Sequence, residues 1–222
     1  MPIRVMIVDD QVLIRSGLRT VLERTDDITV VAEAGDGAEA VSLVREHHPE
    51  VVLMDLHMPR IDGVDATRQL LRMEDPPRVL VLTTFNSDDH VMQALAAGAS
   101  GFLLKDARTE EIASGVRTVA SGGTALSFPV MTRLLEKARS TGSQFYHPGI
   151  QEKLDSLSDS ERRVLALVGE GLTNQQIADR LHLSVTSVKT YVSRVLTRFD
   201  LGNRTQAALL AYEVGLAQQG GL

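Results

Sequence analysis

The chain has 222 residues and a net charge of −6 at pH 7, and 43% of its residues are hydrophobic, as in ordinary globular proteins. It contains no cysteine, which excludes disulfides and thiolate metal sites. No apolar run approaches the ~20 residues that span a bilayer, and the first residues lack the layout of a signal peptide. We therefore expect a cytoplasmic protein with no membrane part.

Charge is divided unevenly along the chain. Residues 151–222 hold eight basic and eight acidic residues, so the net charge of −6 belongs to the first 150. The length allows either one large domain or two small ones. An acidic first part and a neutral second part indicate two domains with different functions.

Over residues 3–120, short apolar runs alternate with helical patterns. The predicted strands are Arg4–Val8, Thr29–Glu33, Val51–Met54, Val79–Leu82 and Gly101–Leu104. Between the strands, apolar residues recur at spacings typical of one buried helix face, first at Leu13, Leu18, Val21 and Leu22. Five strands alternating with five helices predict an α/β fold: a five-stranded parallel, doubly wound sheet covered on both faces.

Carboxylates follow two of the predicted strands. Asp9 and Asp10 come directly after the first strand, and Asp55 comes after the third. In doubly wound sheets the site lies just beyond the carboxyl ends of the strands, so we expect these carboxylates to lie together. They would repel one another unless a cation neutralised them. Mg²⁺, which prefers oxygen ligands, is the natural candidate.

Two more polar residues follow neighbouring strands, Thr83 after the fourth and Lys105 after the fifth. A phosphoryl group on Asp55 would need its charge met by a cation, a hydroxyl and an ammonium, and these residues supply them. Alone, each is more often a turn residue or a solvated side chain. An enzyme alternative makes Asp55 a phosphohydrolase nucleophile, but no second catalytic base accompanies it, so a non-enzymatic role is preferred.

These residues carry a family resemblance. Asp9-Asp10, Asp55 with Met58-Pro59 and Asp62-Gly63, Thr83, and Phe102 ahead of Lys105 resemble the receiver domain of bacterial two-component response regulators, assigned to residues 1–120. The resemblance implies a flavodoxin-like fold in which a sensor histidine kinase phosphorylates Asp55. It implies Mg²⁺ held by Asp9, Asp10, Asp55 and the backbone carbonyl of His57. Lys105 would pair with the phosphoryl oxygens, Thr83 would hydrogen-bond them, and Phe102 would turn inward.

The sequence pattern of residues 121–153 differs from the strand and helix alternation of the preceding residues. Gly122-Gly123 and the turn-rich stretch from Thr141 to Gly149 break the periodicity, while Pro129 is suited to start a helix over Val130–Ser140. This segment is predicted to be a linker carrying one helix.

Residues 154–222 show short helices only. Ser158 with Glu161 and Thr173 with Gln176 match capping boxes, and Ser184 is placed to cap a longer helix that reaches Phe199. Two helices joined by a tight turn, the second longer, predict a helix-turn-helix. The outward face of the longer helix carries donors suited to phosphates and base edges: Thr186, Lys189, Thr190, Ser193 and Arg194. A plain helical bundle is the alternative.

A second resemblance covers this segment. Gly171–Ala178, Ser184–Val192 and Asn203–Ala207 are similar to the LuxR-type helix-turn-helix, a four-helix domain. With the receiver, this resemblance points to the NarL/FixJ class of response regulators. It implies that Lys189, Thr190 and Ser193 face the DNA groove. Phosphate contacts are implied for Thr173, Asn174, Ser184 and Arg204. The last helix resembles a dimer interface at Ala207, Ala208, Ala211 and Val214, which ordinary core packing would also explain.

The predicted function is a DNA-binding transcription regulator that a histidine kinase switches by phosphorylating Asp55. A homodimer formed on phosphorylation would bind half-sites in double-stranded promoter DNA. In the off state the receiver or the linker would mask the recognition helix or the dimer face. The alternative is a constitutive DNA-binding regulator that does not depend on phosphorylation.

Overall fold

The computed structural model describes residues 1–83, 88–140 and 149–217. The strands are β1 Ile3–Val8, β2 Ile28–Ala34, β3 Val51–Asp55, β4 Arg78–Thr83, β5 Gly101–Leu104 and β6 Ala125–Leu126. The helices between them are α1 Val12–Leu22, α2 Gly37–His47, α3 Gly63–Leu70, α4 Asp88–Ala97 and α5 Thr109–Ala120. All strand pairs are parallel, in the order β2-β1-β3-β4-β5-β6. The predicted doubly wound α/β fold is confirmed.

The strand β3 lies at the centre of this sheet and is buried along its whole length. Its side chains alternate between the two faces. Val52 and Met54 join one apolar cluster, and Val51 and Leu53 join the cluster on the opposite face. An unbroken apolar run is what a strand covered on both faces requires. The central strand therefore fixes the position of Asp55, its last residue.

The sheet has six strands, so the prediction of five was wrong by one. The sixth, β6, pairs Ala125 with Gly101 and Leu126 with Phe102. Two residues carry no detectable strand pattern, because a period of two needs a longer run to be seen. The pairing depends on a close approach: a Cβ built on Gly101 would lie 2.4 Å from the Ala125 carbonyl oxygen.

The apolar stripe predicted for α1 is only partly correct. Leu22 is fully buried, whereas Leu13 is 87% exposed. Leu22 follows Leu13 by nine positions, and at 3.6 residues per turn this separation places the two side chains on opposite sides of the helix. Leu13 and its neighbour Val12, which is 62% exposed, form an apolar surface beside the acidic strand end.

The remaining helices are α6 Phe128–Ser140, α7 Ile150–Asp155, α8 Asp159–Gly169, α9 Asn174–Leu181, α10 Val185–Phe199 and α11 Arg204–Glu213. Both capping boxes and the Ser184 cap form as predicted. The helix expected from Val130 begins two residues earlier, while 141–148 of the predicted linker lie outside the described residues. Within the described ranges, no helix has the length and apolarity needed to cross a membrane.

The helix α11 is enclosed on more than one side. Every residue from Thr205 to Ala211 is buried, and α11 packs on α8 and also contacts α6. Its first residues meet the end of α4: Asn203 Nδ2 donates to the Leu95 carbonyl oxygen at 2.8 Å, and Thr205 Oγ1 donates to the Ala99 carbonyl oxygen at 2.7 Å.

A second contact lies beside these hydrogen bonds. The Thr124 backbone N–H donates to the Gly171 carbonyl oxygen at 3.3 Å. Gly171 has φ +82°, and a Cβ there would lie 2.7 Å from the Thr124 carbonyl oxygen. We call this contact surface the seam; it consists of Leu95, Ala99 and Gly123–Thr124 on one side and Gly171–Leu172 and Asn203–Thr205 on the other. One apolar cluster includes residues from both sides of it.

Candidate functional site

Three carboxylates meet at the carboxyl ends of β1 and β3. Oxygen atoms of Asp9, Asp10 and Asp55 all lie within 4.8 Å of one another. Asp9 and Asp55 are buried, whereas Asp10 is exposed. The strand-end placement expected from the sequence thus brings the three acidic residues together.

Lys105 lies between two of these carboxylates. Its Nζ is 2.7 Å from Asp9 Oδ2 and 2.8 Å from Asp55 Oδ2. Burial raises the pKa of Asp55, and the Asp9 charge adds to this rise, although Lys105 and a backbone hydrogen bond from His57 oppose it. Burial lowers the pKa of Lys105, but its two carboxylate partners outweigh burial and raise it. One ammonium against three carboxylates leaves an excess of negative charge, which a hard divalent cation fits.

The other residues predicted for this site lie around the acidic cluster. Thr83 is buried at the end of β4, and its carbonyl oxygen accepts from the Lys105 backbone N–H at 2.8 Å. Phe102 is fully buried, so the inward position expected after phosphorylation is already occupied; its apolar cluster includes side chains of α6. The His57 ring packs edge-on against His90 of α4, with centroids 4.9 Å apart.

Sequence reasoning missed the groups that orient Asp9. The Gln11 backbone N–H donates to Asp9 Oδ1 at 2.9 Å, and Arg15 Nη1 donates to the Asp9 carbonyl oxygen at 2.6 Å. Arg15 also pairs with Glu33 of β2 at 3.3 Å. No local pattern marks Arg15, because its partners come from the loop before its own helix and from a different strand.

A polar, basic face of α10 is open to solvent. The residues predicted to contact DNA from this helix are all exposed: Thr186, Lys189, Thr190, Ser193 and Arg194. No acidic residue occurs between residues 184 and 199. Arg198, further along, has local partners instead, the Ser156 carbonyl oxygen and Glu161, whose Oε1 is 3.7 Å away.

The residues predicted to contact phosphates form hydrogen bonds within the protein. Thr173 and Ser184 are N-caps that accept hydrogen bonds from Gln176 and Ser187. Arg204 lies in the seam and donates to Asn174 Oδ1 at 2.8 Å and to the Leu172 carbonyl oxygen. Burial, and secondarily the charge of Arg78, lowers the pKa of Arg204 to about 10.

The residues predicted for dimerisation contribute to the core of this chain. Ala207, Ala208 and Ala211 are buried, and Val214 is half-buried. A Cβ built on Gly169 of α8 would lie 2.7 Å from the Ala211 Cβ, so small residues allow these two helices to pack closely. Core packing accounts for the three alanines, and a role in dimerisation stays a prediction.

The acidic residues at the strand ends and the helix-turn-helix together define a class of protein. Residues 5–117 match the family model for the response regulator receiver domain, and residues 155–211 match the model for bacterial regulatory proteins of the luxR family. The chain belongs to the response regulators that join a receiver domain to a LuxR-type DNA-binding domain, and it is a DNA-binding transcriptional regulator.

Several relatives match over nearly the whole chain. The transcriptional regulatory protein LiaR of Bacillus subtilis is 38% identical over 95% of this chain and 97% of its own. The DNA-binding transcriptional activator DevR/DosR of Mycobacterium tuberculosis is 38% identical over 96% of this chain and 95% of its own. Among solved structures, the response regulator ChrA of a heme-sensing two-component system is 35% identical, with a TM-score of 0.55, and the match covers 97% of this chain and 98% of that one.

Proposed function

We propose that a sensor histidine kinase phosphorylates Asp55 and that this phosphorylation switches DNA binding. The observation that carries the proposal is the buried Asp55 carboxylate, 2.8 Å from Lys105 Nζ, in a chain whose second half exposes a basic recognition helix. The chain would act in the cytoplasm, where the DNA lies. Its receiver would occupy residues 1–120 and its DNA-binding domain residues 154–222, joined by the linker 121–153.

In the proposed phosphorylation, the Asp55 carboxylate is the nucleophile that accepts the phosphoryl group. Asp9, Asp10, Asp55 and the His57 carbonyl would hold Mg²⁺, which neutralises charge as the group transfers. Lys105, now shared between Asp9 and Asp55, would pair with a phosphoryl oxygen, and the Thr83 hydroxyl would donate to another. The Lys105 ammonium, 2.8 Å from Asp55 Oδ2, supports these roles, because such donors are matched to oxyanions.

DNA recognition is proposed to divide between two groups of residues. Lys189, Thr190 and Ser193 would read base edges in the major groove, with Thr186 and Arg194 beside them. Thr173, Asn174, Ser184 and Arg204 would contact phosphates, which position the domain without reading sequence. Two copies, paired through α11, would meet two half-sites about one helical turn of DNA apart or a multiple of it.

The off state is proposed to mask the dimer helix rather than the recognition helix. The outward face of α10 is exposed, whereas α11 is enclosed and Arg204 lies in the seam. Phosphorylation would favour an open state in which α11 and Arg204 become accessible. Such a switch is a shift between two populations, and it needs a ligand or modification that favours one of them.

The test combines labelling with DNA titration. With Mg²⁺ and acetyl phosphate, intact-mass spectra should show one added phosphoryl group in the wild type and none in Asp55→Asn. DNA affinity of the wild type should rise on labelling, while that of Asp55→Asn should not. Full labelling of Asp55→Asn would refute the assignment of the phosphoacceptor.

A second candidate function is constitutive DNA binding, which the exposed face of α10 favours. It makes the opposite prediction in the same titration. If the labelled and unlabelled wild type bind a selected duplex with equal affinity at fixed salt, the constitutive function is correct and the switch is wrong.

A further inference from the structure

Asn203 serves two helices at once. Its Oδ1 accepts from the Gln206 backbone N–H at 3.0 Å and so caps the N-terminus of α11. Its Nδ2 donates across the seam to the Leu95 carbonyl oxygen, in the last turn of α4, at 2.8 Å. Thr205, one residue beyond Arg204, adds a second hydrogen bond across the seam, from its hydroxyl to the Ala99 carbonyl oxygen at 2.7 Å. The first turn of α11 thus binds the carbonyl end of α4.

These hydrogen bonds satisfy groups that would otherwise be costly to bury. The last carbonyls of a helix have no partner within the helix, and the carbonyl end carries partial negative charge. Thr205 is 2% exposed, so water does not readily replace its hydroxyl while the seam is closed. The Leu95 carbonyl oxygen also accepts from the Gly98 backbone N–H at 3.1 Å. A buried donor or acceptor that loses its partner destabilises the state that buries it. Both hydrogen bonds therefore favour the closed seam.

The helix α4 connects the seam to the acidic cluster. Its first turn carries His90, whose ring packs on His57, two residues after Asp55. Its other end carries Leu95, followed by Ala99. Ten helical residues span about 15 Å, so a displacement of α4 at the Asp55 loop changes the position of the carbonyls at the seam.

We propose that Asn203 and Thr205 hold the molecule closed by capping the carbonyl end of α4, and that movement of α4 on phosphorylation removes these caps and releases α11. The proposal rests on the proposed function, because it names the residues through which phosphorylation of Asp55 controls the DNA-binding half. Asn203 and Thr205 are coupling residues and need no contact with DNA or with the phosphoryl group.

Two substitutions remove the seam hydrogen bonds and spare the fold of α11. Thr205→Val keeps the shape of the side chain and loses its donor. Asn203→Asp keeps an N-cap acceptor for α11, loses the Nδ2 donor and places a negative charge against the carbonyl end of α4. Thr20→Val is the matched control, because Thr20 is exposed and donates only to Ser16 of its own helix, at 2.8 Å.

Opening is measured in the full-length chain with two spin labels. The chain has no cysteine, so Glu46→Cys and Arg163→Cys, at exposed positions on the two halves, can be labelled without side products. We expect one narrow distance distribution in the unphosphorylated wild type and in Thr20→Val. Thr205→Val and Asn203→Asp should shift the distribution toward longer, broader distances without acetyl phosphate.

DNA affinity provides the second readout, on a duplex selected from a random library by acetyl phosphate-treated wild type. One ordinary hydrogen bond changes the closed-to-open ratio about five-fold, and apparent affinity follows the open fraction. Unphosphorylated Thr205→Val and Asn203→Asp should therefore bind about five-fold more tightly than wild type. After phosphorylation their affinities should equal that of wild type.

The outcomes separate the inference from the proposed function. If the wild type responds to phosphorylation and both variants keep the wild-type distances and affinities, Asn203 and Thr205 do not hold the seam. If Asn203→Asp fails to fold, the distances and DNA affinity of Thr205→Val alone test the role of the seam hydrogen bonds. A wild type that shows no response to phosphorylation refutes the proposed function, whereas longer distances in the variants would still support the caps.

Discussion

At the scale of single residues, the charge balance at Asp55 is the distinctive feature of this chain. The carboxylate is 4% exposed and lies near Asp9, yet its ammonium partner is shared with Asp9. Burial dominates, so the pKa of Asp55 is raised in the folded protein. A carboxylate in this condition is poorly compensated without a cation, which supports the proposed Mg²⁺ site.

The raised pKa leads to a prediction about stability. A carboxyl group whose pKa is higher in the folded than in the unfolded state loses stabilisation as the pH rises from about 4, its unfolded value, through the folded pKa. In EDTA at pH 7, Asp55→Asn should therefore raise Tm by about 2–4 °C, and the difference should shrink toward pH 4. Thermal melts across this pH range test it. Asp26→Asn, at an exposed position, should leave Tm unchanged; a Tm for Asp55→Asn at or below wild type at pH 7 would contradict the charge balance.

At the scale of secondary-structure elements, α10 and the caps before α9 and α10 carry the proposed DNA-binding surface. The exposed face contains Lys189 and Arg194 with no acidic residue between 184 and 199. Thr173 is different, since its hydroxyl is the N-cap of α9 and the residue is buried. We therefore expect a substitution at Thr173 to change both the proposed phosphate contact and the stability of the helix, whereas a substitution at Lys189 should change the surface alone.

This difference separates base readout from phosphate contact. Lys189→Ala should cost ~1–3 kcal/mol on the selected duplex and much less on a scrambled one, because a base contact has value only with the correct base. Thr173→Ala should weaken binding to both duplexes by similar factors and also lower helix stability by ~0.5–2 kcal/mol through loss of the cap. Titrations at fixed salt, with a thermal melt of each variant, measure both effects. Equal losses on both duplexes for Lys189→Ala would make that residue a phosphate contact.

The first turn of α1 provides another exposed surface. Val12 and Leu13 follow the acidic cluster directly, and both are more than half exposed. We predict that a kinase delivering a phosphoryl group to Asp55 packs against this region, because Val12 and Leu13 form an exposed apolar surface beside the acidic cluster. The double substitution Val12→Ser and Leu13→Ser should slow phosphotransfer from the cognate kinase at least ten-fold. Labelling by acetyl phosphate, which needs no docking, should stay at the wild-type rate; equal slowing of both reactions would place the defect in the acidic cluster instead.

At the scale of the whole molecule, the seam combines favourable and unfavourable contacts. Two side-chain hydrogen bonds and an apolar cluster close it. Arg204 opposes closure, because its guanidinium is largely buried near Arg78, and within the described part of the chain its Nε is buried without a hydrogen-bond partner. No carboxylate among the described residues pairs with Arg204. A closed state with such a charge in it is only moderately favoured, as a reversible switch requires.

Reversing the charge of Arg78 should therefore strengthen the closed state. Arg78→Glu converts a like-charge contact into an attraction with Arg204, at the opposite end of β4 from Thr83. The variant should bind the selected duplex about ten-fold more weakly before phosphorylation, while acetyl phosphate labels Asp55 at the wild-type rate. Arg72→Glu, an equal change of charge at an exposed position of the same domain, is the control. An unchanged affinity for Arg78→Glu would show that the like charge has no part in the balance.

The sequence alone determines the features that depend on local physical chemistry. Apolar runs of strand length alternating with amphipathic stretches specify a parallel sheet. Asp9, Asp55 and Lys105 could therefore be assigned to one edge of that sheet from the sequence alone. The caps at Ser158, Thr173 and Ser184 are equally local, since each acceptor satisfies an N–H three residues away. These predictions are confirmed because the competing interactions are few.

Only the tertiary structure decided which surfaces are covered. The strand β6 forms because Gly101 lets Ala125 approach, a contact between residues 24 positions apart. Leu13 remains exposed because its helix turns it away from the sheet. The helix α11, expected from the sequence to be a dimer interface or ordinary core, is enclosed because α8 packs on one side while α4 and α6 meet it on another. Covering a surface depends on where a distant segment folds, and composition, spacing and caps contain no information about that position.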